Sequence, residues 1–197
     1  RKSGEFGHNV FLISDEPYRE IVFDGKQTPY TARYYDHTLT CYSFSKSLSL
    51  PGERIGYVYV PQNATDHDAL YAAIAGASRA AGHVCAPSLW QKVIARCTHL
   101  RPDLAAYDRN RKALYEGLRQ AGYEVAKPDG AFYMFVKTPV DDKIFAQKAK
   151  EYRLIVTPGS GFGCAGYVRL SYCVNYSTVE GSLPAFVAAF TKHQDLS

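Results

Sequence analysis

Three short stretches of the chain carry side chains able to do chemistry, and each adjoins a run that reads as a strand. In Ser43-Phe44-Ser45-Lys46-Ser47-Leu48-Ser49-Leu50-Pro51-Gly52-Glu53-Arg54, one lysine stands among serines and an arginine follows eight residues later. Two cations and several hydroxyls around one loop suit a phosphate-bearing ligand, because the guanidinium is a planar fork of donors and the hydroxyls donate as well. In Ser14-Asp15-Glu16-Pro17-Tyr18 a carboxylate and a phenol follow an apolar run. In Tyr167-Val168-Arg169-Leu170-Ser171-Tyr172 an arginine stands mid-strand among tyrosines, where it needs an anion. Taken singly, each has a plainer alternative: a solvated loop lysine, a carboxylate capping a loop, a packed tyrosine, an arginine in a structural salt bridge.

The elements that must position these groups follow from apolar patterning. Residues 10–13 form a short continuous apolar run of the kind buried on both faces of a sheet, and Pro17 stops it. Its polar carboxyl end is where ligands bind in open α/β sheets. A second short strand is expected at 20–23, closed by Asp24-Gly25. Strands at 38–42 and 55–60 flank the lysine loop, which therefore sits at a sheet edge. Asp66 or Asp68 caps an alanine-rich helix reaching Ala81, and Pro87 begins another over 88–99. From Leu104 the apolar positions keep helical spacing until Gly122. The remainder alternates differently: strands at 123–126, 131–137, 154–157 and 167–172, a helix at 141–152, and a last helix opened by the capping-box pattern Ser177-Thr178-Val179-Glu180. Strand alternation puts Tyr167, Arg169 and Ser171 on one face, opposite Val168, Leu170 and Tyr172. The expected organisation is an α/β part over residues 1–104 and a small α+β domain over residues 105–197.

Composition narrows the function classes. With 46% hydrophobic and 21% charged residues the chain is globular rather than disordered. Its net charge of +4 is spread along the whole length with no dense basic run, which argues against nucleic acid. Five cysteines lack any C-x-x-C or metal spacing, so no metal site is expected and a reducing, cytoplasmic setting is favoured. No apolar stretch reaches the roughly 18 residues of a membrane span, and no signal-peptide core follows the basic start.

The ordered trio of S-D-E-P-Y, S-F-S-K with an arginine eight residues on, and Y-V-R-L-S-Y resembles the C-terminal half of fold-type I pyridoxal-phosphate aminotransferases of class I/II, the aspartate aminotransferase-like group. The resemblance implies part of that fold's large domain, a mostly parallel sheet with helices, followed by its small C-terminal domain. It implies an enzyme that moves an amino group between an α-amino acid and an α-keto acid. Lys46 would form the Schiff base with pyridoxal 5'-phosphate and then carry the proton between substrate and cofactor. Asp15 would pair with the pyridine nitrogen, Tyr18 would donate to the cofactor's phenolic oxygen, and Ser43 and Arg54 would hold the phosphate. Arg169 would clamp the substrate α-carboxylate. A homodimer is implied as well. The glycine-containing phosphate loop, the ring-stacking aromatic and the asparagine of such enzymes come earlier than anything present, so an N-terminal half is expected upstream. A C–S β-lyase of the same fold, or the sensor domain of a transcription regulator with a DNA-binding segment upstream, would keep the same cofactor residues. A non-catalytic remnant is disfavoured by the intact Lys46, Asp15 and Arg169.

Overall fold

In the computed structural model, which describes residues 2–194, the chain divides into two units between Pro102 and Asp103. The first opens with the short helix α1 (Lys2–Phe6), ended by Gly7 in the left-handed conformation. Strand β1 (Leu12–Asp15) runs parallel to β2 (Thr38–Ser43), with Leu12 opposite Thr38 and Asp15 opposite Cys41. A helical turn, α2 (Phe44–Ser47), and a 3-10 turn at Pro51–Glu53 lead into β3 (Gly56–Tyr59), which pairs antiparallel with β2. The sheet order is β1-β2-β3. These three strands make a mixed sheet, with one parallel and one antiparallel pair. The connection from β2 to β3 holds only a four-residue helical turn and a three-residue 3-10 turn, without the long helix that usually carries a parallel crossover.

Helices α3 (His67–Ala80) and α4 (Ser88–Cys97) complete this unit. Its core gathers Ile21, Phe23, Tyr42, Ile55 and Val60, and β2 buries alternate residues, Thr38, Thr40 and Tyr42. Three expectations shift. The first strand lies two residues later than its apolar run, because Ser14 and Asp15 pair with Thr40 and Cys41. Residues 20–23 form no strand beyond a single bridge position at Val22; the chain turns there, with Ile21 N–H bonded to Tyr18 O at 2.9 Å, and still buries Ile21 and Phe23. Asp66 precedes α3 in the left-handed region without capping it through its side chain.

The second unit begins with α5 (Leu104–Gln120), whose first turn is capped by Asp103 accepting from Ala106 N–H at 3.0 Å. Strand β4 (Tyr133–Lys137), helix α6 (Asp142–Ala149), the two-residue β5 (Thr157–Pro158), β6 (Tyr167–Ser171) and α7 (Tyr176–Gln194) follow. The antiparallel sheet has β6 in the middle, in the order β4-β6-β5. Helix α5 lies against α7, and the buried Asn110 ties α5 to the end of β6 by donating to Tyr172 O at 3.0 Å and Val174 O at 2.7 Å. The strand expected at 123–126 is reduced to one bridge, Val125 to Val136. The strand expected at 154–157 leaves Ile155 exposed and pairs only from Thr157. Ser177 lies inside α7 instead of capping it; Asn175 O takes the N–H groups of Thr178 and Val179. Among the described residues no helix is long and apolar enough to cross a membrane.

Candidate functional site

Asp15 is the last residue of β1, so the parallel pairing sets its carboxylate beside Cys41 on β2. Burial, with the Asp15 charge adding to it, pushes the Cys41 thiol up from its ordinary value. Ser43 ends β2 opposite Gly56, where a Cβ would stand 2.3 Å from Tyr42 O, so only glycine lets the two strands pair here. Arg54 makes the turn into β3 with a left-handed backbone, φ 51°, and its Nη1 donates to Pro51 O at 2.9 Å.

Lys46 rides on α2, whose orientation is fixed from the sheet. The buried Tyr42 hydroxyl donates to Ser47 Oγ at 2.8 Å, and Phe44 N–H bonds to Ile55 O. Half-buried Lys46 then directs its Nζ to 5.6 Å from the centre of the Tyr18 ring. Tyr18 sits in the turn after Pro17, and Glu16 locks that turn. Its carboxylate accepts from Ser14 Oγ at 2.8 Å, Thr31 Oγ1 at 3.2 Å and Arg19 Nε at 2.6 Å. Burial pushes the Glu16 carboxyl up, but the bonds from Arg19 and Ser14 outweigh it and hold the carboxyl below its ordinary value. Arg19 also donates to Thr28 O and Pro29 O and lies 3.6 Å over the Tyr30 ring. Sequence reasoning missed this Glu16–Arg19 pair. Its only sequence signal is opposite charge three residues apart, whereas Thr31 arrives through the fold.

A cleft of about 640 Å³ in this unit is lined by Asp15, Cys41, Ser43 and Gly56 from the sheet and by Tyr71 and Ile74 from α3. The structure thus brings Asp15 and Ser43 together in one cleft and Lys46 and Tyr18 together in one contact. Neither Lys46, Tyr18 nor Arg54 lines that cleft.

Arg169 belongs to the second unit. It occupies the central strand β6, paired with Phe135 on β4 and Thr157 on β5. Its strand alternates as expected, with Val168 and Leu170 buried and Arg169 half-buried on the other face. The guanidinium carbon stands 4.3 Å from the Tyr133 ring centre and 3.9 Å from that of Phe162. Among the described residues, none serves it as an ion-pair or hydrogen-bond partner. Such a group can take a carboxylate through in-plane N–H donors. No cluster of three or more His, Cys, Asp or Glu side chains among the described residues has the arrangement to hold a metal ion.

Residues 7–183 match the family model for aminotransferase class I and II. An amino transferase of Eubacterium rectale, known as a crystal structure, superposes with a TM-score of 0.94 at 55% identity, over 98% of this chain and 48% of that one. The aspartate aminotransferase of Thermus thermophilus, as a single mutant, superposes with a TM-score of 0.82 at 26% identity, over 95% of this chain and 50% of that one. In sequence, the aromatic-amino-acid aminotransferase 2 of Thermococcus litoralis is 30% identical over 89% of this chain and 48% of its own length. The chain spans about half the length of the curated relatives it matches.

Proposed function

We infer the function from a plain premise: the chain belongs to the class I and II aminotransferase family. The whole protein, in this proposal, is a pyridoxal-phosphate-dependent aminotransferase that moves an amino group between an α-amino acid and an α-keto acid. The observation that carries the reading is the amine of Lys46 held beside Tyr18, on a chain that also sets Asp15 at a strand end and, among the described residues, gives Arg169 no acidic partner.

The donor set fits the cofactor. A primary amine suits its aldehyde, a carboxylate its ring nitrogen, a phenol its ring oxygen, and a hydroxyl with a guanidinium its phosphate. Asp15 and Ser43 already share a cleft wide enough for a small ligand. When bound, pyridoxal phosphate supplies the electron sink for charge that develops at the substrate Cα. Lys46 would hold the cofactor through its amine and would move the substrate Cα proton. Asp15 keeps a proton on the ring nitrogen, and Tyr18 donates to the ring oxygen. Ser43 and Arg54 bind the phosphate. Arg169 grips the α-carboxylate and so orients the Cα–H bond. Residues 1–104 serve as part of the cofactor-binding large domain and residues 105–197 as the small domain. The working unit is a homodimer, and the free thiols of all five cysteines fit a reducing cytoplasm.

The test uses the full-length protein loaded with pyridoxal phosphate. Borohydride reduction followed by peptide mapping should place the pyridoxyl group on Lys46, and an amino acid offered with 2-oxoglutarate should yield glutamate. A label on another lysine would overturn the site. Pyruvate and ammonia in place of glutamate would reveal a β-lyase.

A further inference from the structure

We propose that Phe162 and Tyr133 are positioning residues for the carboxylate-gripping Arg169, and that Asp142 sets where Phe162 stands; the proposal rests on the aminotransferase reading of Arg169. Two other arginines of this chain are tied to carboxylates. Arg19 is tied to the Glu16 carboxylate at 2.6 Å, and the fully buried Arg111 to Asp108 at 2.6 Å. Each of those charges is neutralised where it sits. Arg169 instead lies over two aromatic rings, Tyr133 at 4.3 Å and Phe162 at 3.9 Å. Aromatic faces attract the cation without consuming an N–H donor, so they fix the plane of the fork while leaving its donors for an anion. A long side chain held in advance loses less freedom when its ligand arrives.

The two rings reach the guanidinium from different directions. Tyr133 is on β4, opposite Ser171, and so is a diagonal neighbour of Arg169 within reach across the pair. Phe162 ends the 3-10 turn Gly159–Phe162, outside the sheet, and is 48% exposed. A large ring left half in water is not there to fill a core. Its ring contacts are Phe135, edge-on with centres 6.4 Å apart, and Arg169.

What holds Phe162 in place is a carboxylate from another element. Asp142, 1% exposed at the start of α6, accepts Ser160 N–H through Oδ2 at 2.8 Å and Gly166 N–H through Oδ1 at 3.3 Å. One side chain thereby ties both ends of the loop that carries Phe162. The loop is closed again by Cys164 N–H on Gly159 O at 2.9 Å, and Gly159 has no room for a Cβ, which would stand 2.3 Å from Cys164 O. The geometry gives Asp142 a route to Arg169 through Phe162.

In the full-length, cofactor-loaded protein, Phe162→Leu removes the ring face while keeping an apolar side chain. It should lower kcat/KM for an α-amino acid about tenfold, through KM, and leave the slow amino transfer from a simple alkylamine unchanged. Phe162→Tyr should restore wild-type values. Calorimetric binding of propionate, a carboxylate that cannot react, should weaken by the same factor without turnover entering the measurement. Asp142→Asn should move both readouts in the same direction in the wild-type background and leave them unmoved in the Phe162→Leu background. Equal losses for amino acid and alkylamine, unchanged propionate binding in Phe162→Leu, or full effects of Asp142→Asn without Phe162 would each overturn the proposal. A protein that binds propionate through Arg169, with the expected dependence on Phe162, yet transfers no amino group would support the positioning role and overturn the aminotransferase reading instead.

Discussion

The Nζ of Lys46 lies 5.6 Å from the centre of the Tyr18 ring, although the two residues belong to different turns. The contact follows from the pairing of β1 with β2, which run parallel and so end at the same edge of the sheet. Tyr18 presents its ring to Lys46 and also carries a hydroxyl, and two substitutions separate the two. Tyr18→Phe keeps the face and removes the hydroxyl; Tyr18→Ala removes both. The ring contact predicts that kcat/KM of the full-length Ala variant falls a further roughly three- to thirtyfold below that of the Phe variant. Steady-state kinetics on the two side by side decides it, and equal values would assign the whole effect to the hydroxyl.

Gly56 separates sheet geometry from backbone freedom. Its φ is not positive, so its requirement is for space: a Cβ would stand 2.3 Å from Tyr42 O and 3.0 Å from Ser43 Cα, both backbone atoms. Backbone in a paired strand cannot move aside without breaking the β2–β3 ladder. Gly56→Ala should therefore destabilise the protein by about 1–3 kcal/mol, the usual cost of overpacking. Urea unfolding of the full-length protein measures it, and a change below about 0.5 kcal/mol, the usual surface range, would show that the pairing is looser than the geometry says.

Asp142 gives a pH signature. The N–H groups of Ser160 and Gly166 hold its carboxyl below the ordinary value, Ser160 most strongly, with burial opposing. Because the folded-state value lies under the unfolded one, the stabilisation is fully present above about pH 4 and fades as pH falls through the folded value. Asp142→Asn should accordingly lower Tm at pH 7, and its deficit against wild type should shrink as the pH drops below about 4. Thermal melts of both full-length proteins from pH 7 to pH 3 test this. A deficit that stays constant through the acid range would rule out the carboxylate as its source.

Much of the framework could be read without coordinates wherever one face of an element is buried. Tyr167 to Ser171 alternates in sequence because it alternates in burial, which is why Arg169 was assigned to the half-exposed face from its neighbours alone, whereas β2 buries Thr38 and Thr40 and leaves Leu39 and Cys41 half-exposed, against its sequence pattern. The apolar run at residues 20–23 failed for the same cause. Ile21 and Phe23 are buried, but in a turn, and burial outside a strand gives the same pattern. The groups that aim the candidate site were harder. Glu16 gathers Thr31, Asp142 gathers Ser160 and Gly166, and Arg169 gathers Tyr133 and Phe162. Such partners meet through tertiary folding, and a glycine-rich loop such as the one around Phe162 has no periodicity to announce what its one aromatic ring will touch.

Arg169→Lys tests whether a fork or only a charge is required. Lysine keeps the positive charge but has no plane to lie between Tyr133 and Phe162 and cannot present two parallel N–H donors to one carboxylate. A hydrogen bond to a charged group contributes about 1.5–3 kcal/mol, so losing one of the pair should lower kcat/KM for α-amino acids about ten- to hundredfold. The fold has little reason to suffer. Among the described residues Arg169 makes no ion pair to be broken, and the buried residues of its strand, Val168 and Leu170, lie on the other face. Amino transfer from an alkylamine, which offers no carboxylate, should therefore proceed in the variant as in the wild type. Parallel losses for both substrates, or a Tm lowered as far as the rate, would show that Arg169 supports the sheet and does not recognise the substrate.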